Sequence, residues 1–180
     1  MKAPSKLKFF GVAGILAVAM FLLLTIAWFS PTSNPDGLRV GDAFPEVSLQ
    51  DLDGKTVKLP GDASGKIVII HFWAAWCPLC VREMAALESA RVTHGEQGLL
   101  TYSINSGESA KAAKTYAEKT KATYPILVDS SMAVTRKCGV NSIPTTFICD
   151  RKGIIRFKIL GEVDGTRLEQ ILATLFQQGV

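Results

Sequence analysis

Apolar and polar residues are unevenly spread along the chain. Residues 9–29 (FFGVAGILAVAMFLLLTIAWF) run 21 positions without a charge, close to the ~20 apolar residues a helix needs to cross the hydrocarbon core of a bilayer. The pattern then breaks. Residues 30–41 (SPTSNPDGLRVG) carry two prolines and little periodicity, which predicts a linker. Beyond them, short apolar runs alternate with amphipathic stretches, the signature of strands and helices packed in one domain. The expected organisation is a short N-terminus (1–8), one transmembrane anchor (9–29), a linker (30–41) and a folded domain (42–180).

Within the domain, residues 47–49 and 56–59 flank Asp51-Leu52-Asp53-Gly54, whose Asp-Gly step predicts a tight β-hairpin. Residues 67–73 (IVIIHFW) are almost unbroken β-branched and aromatic positions, as in a central strand covered on both faces. A helix is expected over 78–91, since Pro78 suits a first helical turn and good helix formers follow. Residues 98–104 predict a second buried strand, 109–121 a helix, 126–128 a short strand, and 131–138 a helix stopped by Gly139. Residues 145–149 and 154–159 flank a turn and should pair as a hairpin. The closing helix carries the clearest periodicity: Leu168, Ile171, Leu172, Leu175 and Phe176 form one stripe, and Thr166 to Glu169 has capping-box spacing. The elements predict an α/β domain, a mixed central sheet flanked by helices on both faces, with the first hairpin as an N-terminal extension.

The 180 residues are 48% hydrophobic and 20% charged, enough for one well-buried domain and inconsistent with disorder. Three of the four net positive charges belong to Lys2, Lys6 and Lys8, ahead of the apolar run. No basic residue follows the run until Arg39, so the positive-inside bias puts the N-terminus in the cytoplasm and the domain outside it. A cleaved signal peptide is the competing reading, but its h-region is usually ~7–15 residues and ends in an A-x-A-like site, which is missing here. The domain itself is nearly neutral and has no basic cluster interleaved with aromatics, so nucleic acid is not an expected partner.

Of the four cysteines only Cys77 and Cys80 are closely spaced. A helix starting at Pro78 puts Cys77 at its N-cap, facing unpaired N–H groups worth about half a positive charge. That environment favours a thiolate. Cys80 follows within the first turn, so Cys77 reads as the attacking sulfur and the more exposed one, and Cys80 as the resolving one. A zinc site would want four ligands, yet Cys138, Cys149, His71 and His94 supply no second metal-ligand pair. A purely structural disulfide would close too small a loop to remove much chain entropy. Cys138 and Cys149 read as buried thiols or as a second pair.

The segments HFWAAWCPLCVRE and NSIPTTFICDRKGIIRF, together with the final amphipathic helix, resemble the thioredoxin superfamily, and within it the membrane-anchored TlpA/ResA/CcmG-like thiol-disulfide oxidoreductases. The resemblance covers roughly residues 40–178. It implies a thioredoxin-like fold, an Ile143-Pro144 bond that is cis and lies against the Cys77-Cys80 pair, and substrate added as a strand beside that proline. It implies catalysis by Cys77 and Cys80, with Glu83 matching an acidic residue that handles protons. Physically Glu83 is one turn from Cys80, though an acidic residue in a first turn is also favoured simply by the helix dipole. Trp76 is expected on the substrate-facing surface and Trp73 in the core. His71 departs from the pattern: ordinary thioredoxins carry Asp there and many ResA-like proteins Asn. It reads as a neutral strand histidine or a proton acceptor beneath the pair.

No cofactor or metal is implied. The expected partners are a disulfide-bearing protein substrate, apocytochrome c being one candidate, and a DsbD/CcdA-like membrane electron donor. Pro78-Leu79 puts no cation between the sulfurs, which favours a reductant over an oxidase or a general exchange protein. A thiol peroxidase resembling the peroxiredoxins would carry Thr or Ser where this chain has Ala74, and a copper module resembling the Sco proteins would need one more residue between the cysteines.

Overall fold

The computed structural model describes residues 37–179. The expected anchor at 9–29 lies outside them, and no helix among the described residues is long and apolar enough to cross a membrane. The described residues form a seven-stranded mixed sheet: β1 (Val47–Asp51), β2 (Thr56–Leu59), β3 (Ile67–Trp73), β4 (Leu99–Ser106), β5 (Ile126–Asp129), β6 (Thr145–Cys149) and β7 (Ile155–Leu160), in the spatial order β2-β1-β5-β4-β3-β6-β7. The helices are α1 (Pro78–His94), α2 (Ala110–Thr120), α3 (Ala133–Lys137) and α4 (Gly165–Gln178).

Every residue of β3 is buried, because helices cover one of its faces and α3 with the N-terminal hairpin covers the other. Ile67, Ile69 and Trp73 point into the core shared with α1 and α4, while Val68, Ile70 and Phe72 point into the core holding Val134 of α3 and Val47 and Leu59 of the hairpin. Each such side chain contributes about 1.5–3 kcal/mol by leaving water. The period of two therefore aims His71 at the α1 side. β3 pairs in parallel with β4, Trp73 opposite Asn105, and antiparallel with β6, Phe72 opposite Thr145. The second pairing brings Pro144, just ahead of β6, to the end of the sheet where β3 runs into the cysteines. The N-terminal hairpin joins at the other side through β1, with Gln50 opposite Val128 of β5.

Most boundaries shift by one or two residues from the sequence pattern, and three helix ends shift for a visible reason. α1 continues to His94, because its stop is Gly95, whose N–H still reaches the Arg91 carbonyl. α3 is short because Met132 takes a left-handed conformation (φ 57°) and the Asp129 carboxylate accepts from Thr135 N–H at 2.7 Å, so residues 130–132 are spent on the turn. α4 is not capped by Thr166. Asp164 accepts from Arg167 N–H at 2.9 Å and starts the helix two residues earlier, while Glu169 instead meets His94 Nε2 at 2.7 Å on α1.

Candidate active site

Cys77 is the N-cap of α1, extended at φ −99° and ψ 102°, and its Sγ accepts from Cys80 N–H at 3.3 Å. Cys77 and Cys80 are joined as a disulfide across a Cα separation of 5.4 Å. Cys77 is 5% exposed and Cys80 0%, so the expectation of an exposed Cys77 needs correction. In the disulfide form only an edge of that residue reaches solvent, because Cys77 belongs to the same core cluster as Trp73, Cys80 and Met84. Trp76 is 70% exposed, beside exposed Leu79, whereas Trp73 is fully buried and packs against Tyr116 at 5.8 Å. The Ile143-Pro144 bond is cis, Ile143 packs against the cluster that holds both cysteines, and the Pro144 carbonyl accepts from Gly161 N–H at 2.9 Å.

Beneath the disulfide lies a buried polar set. The residues of α1 facing the core are Cys80, Glu83, Met84, Leu87 and Ala90, a helical stripe interrupted by one carboxylate. Glu83 is 0% exposed, and its Oε1 accepts from the Thr146 hydroxyl on β6. Burial pushes the Glu83 carboxyl up to about 7, against the Thr146 hydrogen bond, which favours the ionised form. His71 Nε2 stands 3.9 Å from Glu83 Oε2, and neither atom has a hydrogen-bond partner. His71 Nδ1 lies 3.1 Å from Ser103 Oγ, and burial lowers the imidazole to about 3, so the ring is neutral at neutral pH. The neutral-histidine reading describes the ring's charge, while its free Nε2 still points at the carboxylate.

The turn ahead of Cys77 is held from a distance. Glu108, in the loop after β4, accepts through Oε2 from the Ala75 N–H and from Asn105 Nδ2, each at 2.7 Å. Neither Glu108 nor Thr146 was picked out from the sequence. Thr146 could have been, since two adjacent threonines open a strand that reads as core and a buried hydroxyl needs a partner. The only trace of Glu108 is its spacing of three from Asn105 after a buried strand.

Cys138 and Cys149 are free and buried in the core on the other face of the sheet. Burial pushes both thiols up to about 12, as fits inert core cysteines. Among the described residues no cluster of His, Cys, Asp and Glu could hold a metal ion.

The site can therefore exchange one disulfide at a helix N-terminus over a carboxyl group that titrates near neutrality. Comparison with known proteins points to the same class of chemistry. Residues 40–158 match the model of the AhpC/TSA family. The thiol-disulfide oxidoreductase ResA of Geobacillus thermodenitrificans is 30% identical over 162 residues, covering 88% of this chain and 92% of the relative. The thioredoxin-like protein YneN of Bacillus subtilis is 34% identical over 138 residues, 76% of this chain and 80% of the relative. Among solved structures, a thiol:disulfide interchange protein DsbE from Chlorobium tepidum, described as putative, superimposes with a TM-score of 0.72 at 26% identity, over 77% of this chain and 99% of that one. With a cysteine pair capping α1 on a thioredoxin-like sheet, the chain belongs to the AhpC/TSA family of thioredoxin-like proteins and is a thiol-disulfide oxidoreductase.

Proposed function

We propose that this protein is a membrane-anchored reductant of protein disulfides outside the cytoplasm, working through Cys77 and Cys80. The observation that carries the reading is Cys77 at the N-cap of α1, disulfide-linked to Cys80, one turn ahead of the buried Glu83. In the dithiol form the Cys77 thiolate attacks one sulfur of a substrate disulfide. A Cys77–substrate bond forms, and the other substrate sulfur leaves with the electron pair and takes a proton. Cys80 then passes its proton to Glu83 and attacks Cys77 Sγ. The mixed disulfide breaks, the second substrate thiolate is protonated, and the enzyme disulfide takes its place. Two electrons move from enzyme to substrate, and a membrane dithiol of the DsbD/CcdA kind restores them.

The exposed Trp76 and the strand opening at Ile143 and Pro144 suit an extended peptide, its backbone alongside the proline loop and its apolar side chains against the tryptophan. A cysteine-bearing segment such as that of apocytochrome c is the candidate substrate for this surface.

Direction is tested by potential. With no cation between the sulfurs, redox titration is expected to give a midpoint below about −200 mV, toward thioredoxin's ~−270 mV. A value near the ~−120 mV of DsbA would make the protein an oxidase. Placement is tested separately. Protease added to intact spheroplasts should digest the domain, as the lysines ahead of residues 9–29 imply; a protected domain would overturn the extracytoplasmic reading.

A further inference from the structure

Between the end of β3 and Cys77 the chain makes a short turn through Ala74, Ala75 and Trp76, closed by Cys77 N–H to the Ala74 carbonyl at 3.1 Å. We propose that Glu108 is a positioning residue for the attack by Cys77: its carboxylate holds this turn at the Ala75 N–H and so fixes where Cys77 Sγ and Trp76 stand. The inference rests on reading Cys77 as the exchange nucleophile.

Glu108 is itself tied to three separate segments of the fold. Its Oε2 takes one hydrogen bond from Ala75 and one from Asn105, each at 2.7 Å. Asn105 is fully buried and sits opposite Trp73 in the β3–β4 register, so the carboxylate is tied to the sheet at the height where the turn begins. The Glu108 carbonyl accepts from Ser130 Oγ at 2.7 Å, in the loop after β5. Gly107 makes the approach possible. It has φ +81°, its N–H bonds to the Asp129 carbonyl at 3.0 Å, and a Cβ there would come within 3.2 Å of Met132 Sδ. A left-handed turn at that residue swings Glu108 back over the end of β3. The hydrogen bond from Ala75 falls two residues before Cys77, where a displacement of ~1 Å can cost about 10²-fold in rate.

Two substitutions separate reach from charge. Glu108→Asp keeps the charge but is one methylene too short to reach Ala75, while Glu108→Gln keeps an acceptor oxygen at the same reach and loses the charge. The reduced proteins are mixed with an aromatic disulfide probe, the rate constant is taken per folded molecule, and exchange of the Ala75 amide is followed by NMR in the disulfide form. E108D is expected to react about tenfold more slowly and to lose protection at Ala75. E108Q should stay within about twofold of wild type with Ala75 still protected. An E108D that reacts at the wild-type rate overturns the inference, and so does a folded E108Q slowed tenfold, which decides the matter even if E108D does not fold. A wild-type protein inert to the probe would overturn the exchange reading and this inference with it, whereas an active wild type with an equally active E108D overturns this inference alone.

Discussion

Cys77→Ser is expected to abolish disulfide exchange, and Cys80→Ser to attack substrate at close to the wild-type rate and then stop as a mixed disulfide. The loss of turnover should be at least about 10³-fold in both, because nothing else in the domain can take over. Cys138 and Cys149 are buried on the far face of the sheet with their thiols pushed up to about 12. At neutral pH that leaves a thiolate fraction of roughly 10⁻⁵, inaccessible to a protein substrate. The two active cysteines differ because of their place on α1. Cys77 caps the helix, where its sulfur already accepts the Cys80 N–H and the helix N-terminus favours negative charge. Cys80 is fully enclosed, while Cys77 keeps a 5% edge toward solvent. A small alkylating reagent at mildly acidic pH should therefore modify reduced Cys77 first, and gel electrophoresis without reductant should show the Cys80→Ser adduct accumulating. Equal labelling of both thiols, or a Cys80→Ser protein that turns over normally, would leave the pair a structural feature.

How much of this site was legible beforehand follows from the range of each interaction. The strand at 67–73, the helix start at Pro78 and the final amphipathic stripe are written in local periodicity and in one proline, so the placement of both cysteines could be read directly. The cis bond at Ile143-Pro144 came from resemblance, since spacing alone does not dictate it. The contacts that tune the chemistry join residues far apart in the chain: Thr146 to Glu83, His71 to Ser103, Glu108 to Ala75. Each depends on strand register or loop path, and a one-residue slip in β6 would turn Thr146 away from Glu83. The near-burial of Cys77 is not legible in the sequence for a related reason. Helix position gives the electrostatics of a residue but not what packs over it. The misplaced cap of α4 has a local cause, because Asp164, two residues ahead of Thr166, is itself a strong N-cap residue and accepts from Arg167 N–H.

The core stripe of α1 would be apolar throughout but for Glu83, and such an interruption lowers stability unless it serves function. The same carboxyl faces His71 across 3.9 Å with both atoms unpaired. An apolar or fully satisfied arrangement would be more stable and could not accept a proton. The site thus carries a cost that depends on pH, and its sign follows from burial.

Glu83→Gln tests that cost and the proton transfer together. The Glu83 carboxyl lies near 4.5 when unfolded and is raised to about 7 in the fold, chiefly by burial. A raised folded value means the stability contribution is complete below about pH 4.5 and is lost as pH climbs through 7. Above 7 the ionised carboxylate costs the oxidised protein about 3 kcal/mol. Gln is neutral at every pH, can still accept the Thr146 hydroxyl, and can turn its amide toward His71 Nε2. Urea titration of the disulfide form should therefore find E83Q more stable than wild type by about 3 kcal/mol at pH 8 and equal to it near pH 4. Activity should move the other way. General base catalysis typically supplies 10²–10⁴-fold, so the resolving step, in which Cys80 gives up its proton, should slow by about 10²-fold and lose its inflection near pH 7. The first attack by Cys77 should be nearly unchanged, which stopped-flow mixing with a substrate disulfide separates from resolution. If E83Q resolves as fast as wild type with the same pH profile, Glu83 is a buried carboxyl with no part in proton transfer, and the acceptor for Cys80 must be sought in solvent.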